Sequence, residues 1–237
     1  MYGWRARVGL ILPSLNATME SELNRMAPEG VAFLATRLLL ERANPETLFK
    51  MAEDSTAAAK MMTTCDCSVL LYGCTSGSLI KGVGWDRELS AMMLEASGLP
   101  TTTTSTAVIE AFQELGVTRV AVATPYIDSV NQTEKEFFEG HGVEVVNIEG
   151  LGFTRGFELH NVPDGSAYAF GRKVDRPEAE CLFISCTDFR SIDEIECLER
   201  DLGKPVMTSN TASLWGVLKL AGVRGAIDGY GEILRRL

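Results

Sequence analysis

Short apolar runs alternate with longer amphipathic segments along this chain. Apolar runs of about four to eight residues, bounded by turn residues, are typical of strands buried on both faces of a parallel sheet. Amphipathic segments opened by a capping residue are typical of helices, and Asn44 before Pro45 predicts one helix from residue 45 to about residue 64. A loop is predicted at residues 75–78, directly after Cys74. Strands are predicted at residues 8–12, 31–40, 67–72, 119–124, 143–148, 180–184 and 206–208, with a further short strand after residue 98. The pattern therefore predicts an α/β protein.

The second half of the chain repeats the first. A proline follows the first strand of each half, and 61 residues separate Pro13 from Cys74 and Pro125 from Cys186. A third matching pair is Gly98-x-Pro100-x-x-Thr103-x-x-Thr106-Ala107 and Gly203-x-Pro205-x-x-Thr208-x-x-Thr211-Ala212. The repeat predicts an internal duplication of two parallel-sheet halves facing each other about a pseudo-twofold axis. The first domain, with Cys74, is predicted at residues 1–104 plus 210–237, and the second, with Cys186, at 105–209.

Each half has a cysteine directly after the end of a buried strand. Ligands of doubly wound α/β folds bind beyond the carboxyl ends of the strands, so the two thiols are predicted to approach one ligand from opposite sides. A thiol has an ordinary pKa of about 8.5, so one can be ionised while the other stays protonated. The hydroxyls of Thr75, Ser76 and Thr187 are predicted to stabilise the charge that develops beside a carboxylate. Cys181 and Cys197 can be explained as small side chains that fill space in the core. That explanation does not account for two cysteines at matching points of a repeat.

The composition of the chain limits the kinds of partner that it is expected to bind. The chain has 237 residues, 46% of them hydrophobic, a formal charge of −10 and six cysteines. No apolar run reaches the roughly 18 to 20 residues of a membrane span, and the N-terminus lacks the pattern of a signal peptide. We therefore expect a cytoplasmic protein with free thiols that binds neither membranes nor nucleic acid. A small anionic substrate is the expected partner, and formation of a homo-oligomer is left open.

The sequence offers no pattern for a cofactor or a metal. A Rossmann glycine fingerprint, a phosphate-loop ending and an obvious pyridoxal lysine are missing, and Cys65 and Cys67 lack zinc spacing. No cofactor is therefore predicted. Both histidines, His141 and His160, fall in predicted loops, so a hydrolase using Cys74 or Ser76 is a weaker alternative. Part of residues 150–178, rich in glycine and proline, is predicted to be a mobile loop near the mouth of the site.

Two motifs resemble a known family. The strand ends Gly73-Cys74-Thr75 and Ser185-Cys186-Thr187 resemble the aspartate/glutamate racemase superfamily. The segment Pro13-Ser14-Leu15-Asn16-Ala17-Thr18-Met19-Glu20 resembles the opening motif of maleate cis-trans isomerases. The resemblance covers nearly the whole chain and implies two Rossmann-like domains with the site between them. It also implies residue roles: Cys74 as nucleophile or first acid/base, Cys186 as its partner, and Asn16, Tyr126 and Asn161 as carboxylate ligands.

Other residues depart from that pattern. Thr75-Ser76, Tyr126-Ile127-Asp128 and Ser105-Thr106-Ala107-Val108 resemble arylmalonate decarboxylases, which have glycine in place of the first cysteine. Because both cysteines are present, we expect a cofactor-independent isomerase of a small carboxylic or dicarboxylic acid, with maleate as first candidate. Alternatives are a racemase of an amino or other α-substituted acid, an arylmalonate-type decarboxylase and an ectoine-utilisation protein. The alternative without catalysis is a small-ligand binding protein.

Overall fold

A computed structural model describes residues 2–237, and its eight strands form two four-stranded sheets in which all neighbours are parallel. The strands of the first sheet are β1 (Ala6–Pro13), β2 (Val31–Leu38), β3 (Val69–Tyr72) and β4 (Thr101–Thr103). Those of the second are β5 (Arg119–Thr124), β6 (Glu144–Gly150), β7 (Cys181–Ile184) and β8 (Val206–Thr208).

Helices connect the strands, as parallel pairing requires. In the first half they are α1 (Met19–Met26), α2 (Pro45–Glu53), α3 (Ser55–Met62), α4 (Thr75–Leu79), α5 (Trp85–Ser97) and α6 (Thr104–Leu115). In the second half they are α7 (Asp128–Gly140), α8 (Gly156–His160), α9 (Ser166–Val174), α10 (Ile195–Leu202), α11 (Ser209–Leu220) and α12 (Glu232–Arg235). Short 3₁₀ turns lie at Thr63–Cys65 and Ile192–Glu194.

The two sheets have the same strand order. It is β2-β1-β3-β4 in the first sheet and β6-β5-β7-β8 in the second, so the n-th strand of one half matches the n-th strand of the other. The predicted fold class, two Rossmann-like parallel-sheet α/β units, is confirmed. The strands of the two sheets fall within 1–104 and 105–209, and the assignment of residues 210–237 to the first domain stays a prediction.

Helices α6 and α11, which follow the last strand of each sheet, pack against each other. Both begin at a threonine whose hydroxyl accepts a backbone N–H three residues later, Thr103 from Thr106 and Thr208 from Thr211. The helices are so close that a Cβ at Gly216 would lie 2.7 Å from the Cβ of Ala107. One apolar core includes these helices and side chains of both sheets, so the two halves are joined by a shared core.

The structure corrects two predictions. The single helix expected from Pro45 to residue 64 is two helices, because the Asp54 N–H bonds to Met51, three residues back, and tightens the chain there. The loop expected at residues 75–78 belongs to α4. Residues 150–178, of which part was predicted to be a loop, contain α8 and α9 and irregular segments at 151–155 and 161–165. All six cysteines are free. Within residues 2–237, no helix combines the length and the apolar character needed to cross a membrane.

Candidate active site

A cavity lies at the carboxyl ends of the two sheets, between the halves. Side chains of both halves line it, which is the arrangement predicted from the repeat. The predicted site residues that it brings together are Asn16, Cys74, Thr75, Ser76, Tyr126, Cys186 and Thr187.

Cys74 follows β3 and occupies the N-cap position of α4. Its Sγ accepts the backbone N–H of Gly77 at 3.3 Å and lies 3.8 Å from the hydroxyl of Ser76. Burial raises the pKa of Cys74 to about 11, although these two hydrogen bonds lower it. The thiol therefore keeps its proton at neutral pH, and the thiolate has hydrogen-bond donors in place once it forms.

Cys186 follows β7 at the matching position of the second half. Its Sγ accepts the backbone N–H of Asp188 at 3.4 Å, and its φ of +88° is rare for a residue with a side chain. Burial and the nearby Asp188 carboxylate raise the pKa of Cys186, while its hydrogen bond from the backbone N–H of Asp188 lowers it. Because the charge of Asp188 lies beside Cys186, the geometry favours Cys74 as the thiol that ionises and Cys186 as the proton donor.

Asn16 and Thr187 join the two halves beside the cavity. The Asn16 amide donates to the Thr187 hydroxyl at 2.9 Å, and that hydroxyl donates to the carbonyl of Gly73 at 3.2 Å. The Asn16 carbonyl oxygen accepts the N–H groups of Thr18 and Met19 at 3.1 and 3.0 Å, which caps the start of α1. Because an amide nitrogen carries two N–H groups, one is left for a ligand.

Hydroxyl groups surround the two thiols. Thr75 donates to Ser209 of α11 at 2.9 Å, while Ser76 faces Cys74. Tyr126 is buried and lines the same cavity as Cys186. The first N–H groups of a helix such as α4 have no acceptor within the helix. These donors suit a carboxylate, and they suit even better the enediolate formed when charge develops beside it.

Asn161 does not join the other predicted residues. Its side chain is exposed and donates to the carbonyl of Phe157 at 2.7 Å, within its own helical turn. The structure therefore gives no support to its predicted role as a carboxylate ligand. The neighbouring His160 instead reaches the site indirectly, since its Nε2 lies 3.1 Å from Oδ2 of Asp188.

Neither histidine contacts a nucleophile. The hydrogen bond of His160 is to Asp188, and Nδ1 of His141 lies 2.8 Å from the carbonyl of Phe137. A hydrolase requires a histidine within hydrogen-bond reach of Cys74 or Ser76. The geometry therefore does not favour the hydrolase alternative.

Sequence reasoning missed one wall of the cavity. Helix α8 and the residues before it line the cavity, and the lining adds one cation, one anion and several apolar side chains. These residues are Arg155, Asp188, Leu15, Leu40, Phe153 and Leu159. Asp188 carried a signal, because it lies two residues after Cys186 as Ser76 lies two residues after Cys74. The apolar side chains carried none, since a leucine near a cavity looks like any core leucine.

Comparison with known proteins places this geometry in a family. The sequence model of the arylmalonate decarboxylase family matches residues 8–234. Arylmalonate decarboxylase of Bordetella bronchiseptica is 31% identical over 229 residues, which is 95% of each chain. Maleate isomerase of Nocardia farcinica is 26% identical over 240 residues, 97% of this chain and 96% of the relative.

A solved structure agrees with these sequence relatives. It is a cysteine-to-serine mutant of Nocardia farcinica maleate cis-trans isomerase with a covalently bound succinylcysteine intermediate. It matches this fold with a TM-score of 0.92 at 25% identity and covers 97% of this chain and 98% of its own. The matches span both sheets and the cavity between them. The chain belongs to the arylmalonate decarboxylase family.

Proposed function

We propose that this protein is a cofactor-independent isomerase of a small carboxylic or dicarboxylic acid, with maleate as the first candidate. The observation that carries the proposal is that Cys74 and Cys186 line one cavity from opposite halves of the fold. A binding protein has no need for two thiols at matched positions, whereas proton transfer and covalent addition require such groups. The relatives named maleate isomerase supply the choice of maleate.

The two thiols take different steps of the proposed reaction, Cys74 as the nucleophile and Cys186 as the proton donor. Cys74, once ionised, adds to one alkene carbon, so a carbon–sulfur bond forms and the electron pair moves to the neighbouring carbon and its carboxylate. Cys186 donates its proton to that carbon. After rotation about the new single bond, the Cys186 thiolate removes a proton from the same carbon and Cys74 is expelled. The trans acid leaves, and both cysteines return to their starting states.

The remaining residues bind the substrate. The carboxylate beside the developing charge is held by Asn16, Ser76 and Tyr126 and by the backbone N–H of Thr75, all of them residues that line the cavity. Arg155 at the same cavity offers a positive charge to a second carboxylate. We place the protein in the cytoplasm, where six free thiols stay reduced, and we expect no nucleic-acid partner at a charge of −10.

A second candidate is a racemase or decarboxylase of an acid with one apolar substituent. The apolar side of the cavity, formed by Leu15, Leu40, Phe153 and Leu159, favours it. In a racemase one cysteine removes the α-hydrogen and the other returns a proton from the opposite face. In a decarboxylase carbon dioxide leaves, and only Cys186 is needed to protonate the resulting carbanion.

Incubation with candidate acids in deuterated water, followed by NMR, tests the proposal. Conversion of maleate to its trans isomer is expected, and because Cys186 adds a proton to one carbon and then removes a proton from the same carbon, the trans acid can carry one deuterium from the solvent. Solvent-labelled racemate from a saturated acid, without maleate turnover, would instead establish a racemase. Carbon dioxide release that survives in Cys74→Ser would establish a decarboxylase. Ligand affinity without turnover on any of these acids would establish a binding protein.

A further inference from the structure

The outer edge of strand β2 has no partner strand among residues 2–237. β2 is the terminal strand of its sheet and pairs with β1. The carbonyl of Leu38 accepts the N–H of Ser14, directly after β1, so the even-numbered residues of β2 point their backbone groups toward β1. Because these groups alternate in direction along a strand, the odd-numbered residues point theirs outward. They are Val31, Phe33, Ala35 and Arg37.

The matching edge of the second sheet is protected by charges. Its terminal strand, β6, contains Glu144 and Glu149, and Glu149 pairs with Lys173 at 2.7 Å and with Arg176 at 3.3 Å. Charged side chains on an edge strand hinder pairing with another chain. Residues 31–36 of β2 read Val-Ala-Phe-Leu-Ala-Thr, without a charge or a proline, and all of them are at least partly exposed. The edge of β2 therefore lacks the protection that β6 has.

The edge of β2 is complementary to itself. A two-fold axis perpendicular to the sheet pairs two copies of a strand antiparallel and keeps each side chain on its own face. With the axis at Phe33, Val31 lies opposite Ala35 of the second copy. The outward groups of residues 31, 33 and 35 then form about six backbone hydrogen bonds. Moving the axis to Leu34 would instead place Arg37 opposite Val31, so the uncharged run favours Phe33 as the centre.

Charges of opposite sign lie at the two ends of this edge. Glu29 is exposed in the turn directly before β2, and Arg37 lies near the end of β2. The axis at Phe33 brings Glu29 of one copy to the level of Arg37 of the other, and symmetry forms this pair twice. Arg37 contacts Glu20 at 2.8 Å but keeps 40% of its side chain exposed. Opposite charges across antiparallel strands stabilise the pairing, whereas like charges oppose it.

Two exposed apolar side chains flank β2 on one face of the sheet. Trp4, 62% exposed, packs at Gly30, where a Cβ would lie 2.5 Å from the indole. Met61 of α3 is 60% exposed, and its sulfur lies 3.9 Å from the hydroxyl of Thr36. In the symmetric pairing residue 30 of one copy lies at the level of Thr36 of the other. The indole of each copy therefore comes close to the thioether of the other, which is a favourable contact.

We propose that this protein forms a homodimer in which the β2 strands of two copies pair antiparallel about a two-fold axis at Phe33. The pairing joins the first sheets of the two copies into one continuous sheet. A strand of an unrelated protein would satisfy the outward backbone groups as well. It would not supply the partners for Trp4, Met61, Glu29 and Arg37, which the symmetry of a second copy provides. The inference does not depend on the proposed function.

Sedimentation of the purified protein at about 1 to 100 μM measures the association. We expect twice the mass of one chain for the wild type. Ala35→Lys adds a charge at an exposed position of the edge and should give a monomer. The control Leu94→Lys makes the same kind of change at an exposed apolar residue beside β4, at the opposite edge of the sheet, and should remain a dimer.

Oxidative cross-linking tests the register and does not depend on the lysine variants. Phe33→Cys places two thiols across the axis with Cα atoms about 5.5 Å apart, which a disulfide can span. Two Ala35→Cys thiols would lie roughly 13 Å apart along the strands, beyond that span. We expect a covalent dimer of Phe33→Cys, and none of Ala35→Cys or of the wild type with its exposed Cys65.

Three results would overturn the inference. The first is a wild type that stays monomeric over the whole concentration range. The second is a dimer that Leu94→Lys dissociates and Ala35→Lys does not, because the interface then lies on another surface. The third is a folded Phe33→Cys that forms no more covalent dimer than Ala35→Cys.

Discussion

The carboxylate of Asp188 accepts the backbone N–H of Thr18 at 3.1 Å, although the two residues belong to opposite halves of the fold. The same oxygen accepts the N–H of Ala17 at 2.8 Å, and the other oxygen lies 3.1 Å from His160. One buried side chain in the turn after Cys186 thus contacts both the start of α1 and the helix α8 that lines the cavity. The active site and the contact between the halves share this residue.

Loss of this contact is expected to destabilise the protein. Asp188→Ala leaves the N–H of Ala17 without an acceptor and the N–H of Thr18 with Asn16 as its remaining acceptor, which costs about 1 to 3 kcal/mol in the free energy of unfolding. Asp188→Asn keeps one oxygen acceptor and should lose less. Urea unfolding of the two variants and the wild type measures the difference, and equal stability of all three would contradict the capping role.

Each catalytic thiol is expected to be essential. Cys74→Ser and Cys186→Ser should each lower kcat by about 10² to 10⁴, because a serine hydroxyl neither adds nor transfers protons as a thiol does. Cys197→Ser, at a half-buried cysteine on α10 outside the cavity, is the control and should keep full activity. Turnover of maleate followed by NMR is the measurement. Full activity of either cavity variant would refute the two-thiol mechanism.

Asn16 caps the start of α1 and is also proposed to bind a carboxylate. Asn16→Asp keeps an oxygen to cap α1 but loses the N–H groups that bond to Thr187 and to a carboxylate. We expect a loss of roughly tenfold to hundredfold in kcat/KM, together with a loss of stability, because the new carboxylate would be buried beside that of Asp188, which accepts the same Thr18 N–H. Asn16→Ala should lose a similar factor and also about 1 kcal/mol of stability. Thermal unfolding and kinetics of both variants test this, and a stable, fully active Asn16→Asp would exclude Asn16 from carboxylate binding.

Glu134 should make the stability of the fold depend on pH. Burial raises the pKa of Glu134 to about 8, so the stability due to its neutral form is complete below the ordinary glutamate pKa of about 4.3. That stability is lost as the pH rises through about 8, at roughly 1.4 kcal/mol per pH unit. Glu134→Gln should flatten the decline between pH 5 and 8, while the exposed Glu46→Gln should not. Urea midpoints at several pH values give the slope, and an unchanged slope in Glu134→Gln would contradict a neutral Glu134.

The close approach of α6 and α11 predicts a size limit at Gly216. A methyl group there would lie 2.7 Å from the Cβ of Ala107, and relieving the overlap costs about 1 to 3 kcal/mol. Alanine has a better helix propensity than glycine, which offsets about 1 kcal/mol of this cost. The free energy of unfolding of Gly216→Ala should therefore be lower than that of the wild type by about 1 kcal/mol. Adding Ala107→Gly should remove the overlap, and a double-mutant cycle without coupling would show that the helices do not meet at these residues.

The repeat made the larger part of the fold and the site predictable. Pro13 and Pro125, Cys74 and Cys186 occur at equal spacing, and equal spacing in a duplicated unit fixes both strand ends at once. Apolar runs before each cysteine placed the thiols at the carboxyl edges of the sheets. The polar residues next to them followed, because the chain leaves little freedom between a strand end and the next helix.

Helix α9 was missed for a physical reason. Its buried positions Ala167, Gly171 and Val174 have helical spacing, but Gly171 was counted as a loop residue. A Cβ at Gly171 would lie 2.9 Å from a methyl group of Leu182, so the glycine is required for close packing on β7. The contact of His160 with Asp188 joins residues 28 apart in sequence, which no local pattern encodes.

The backbone at Cys186 bears on how this enzyme can be altered by selection. A side chain held at φ +88° costs about 1 to 3 kcal/mol, and glycine at this position would not incur that cost. A library screened for heat resistance alone should therefore enrich Cys186→Gly and discard the proton donor. Thermostable variants of this scaffold have to be sought with turnover as a simultaneous criterion, since the stabilising substitution and the inactivating one coincide at position 186.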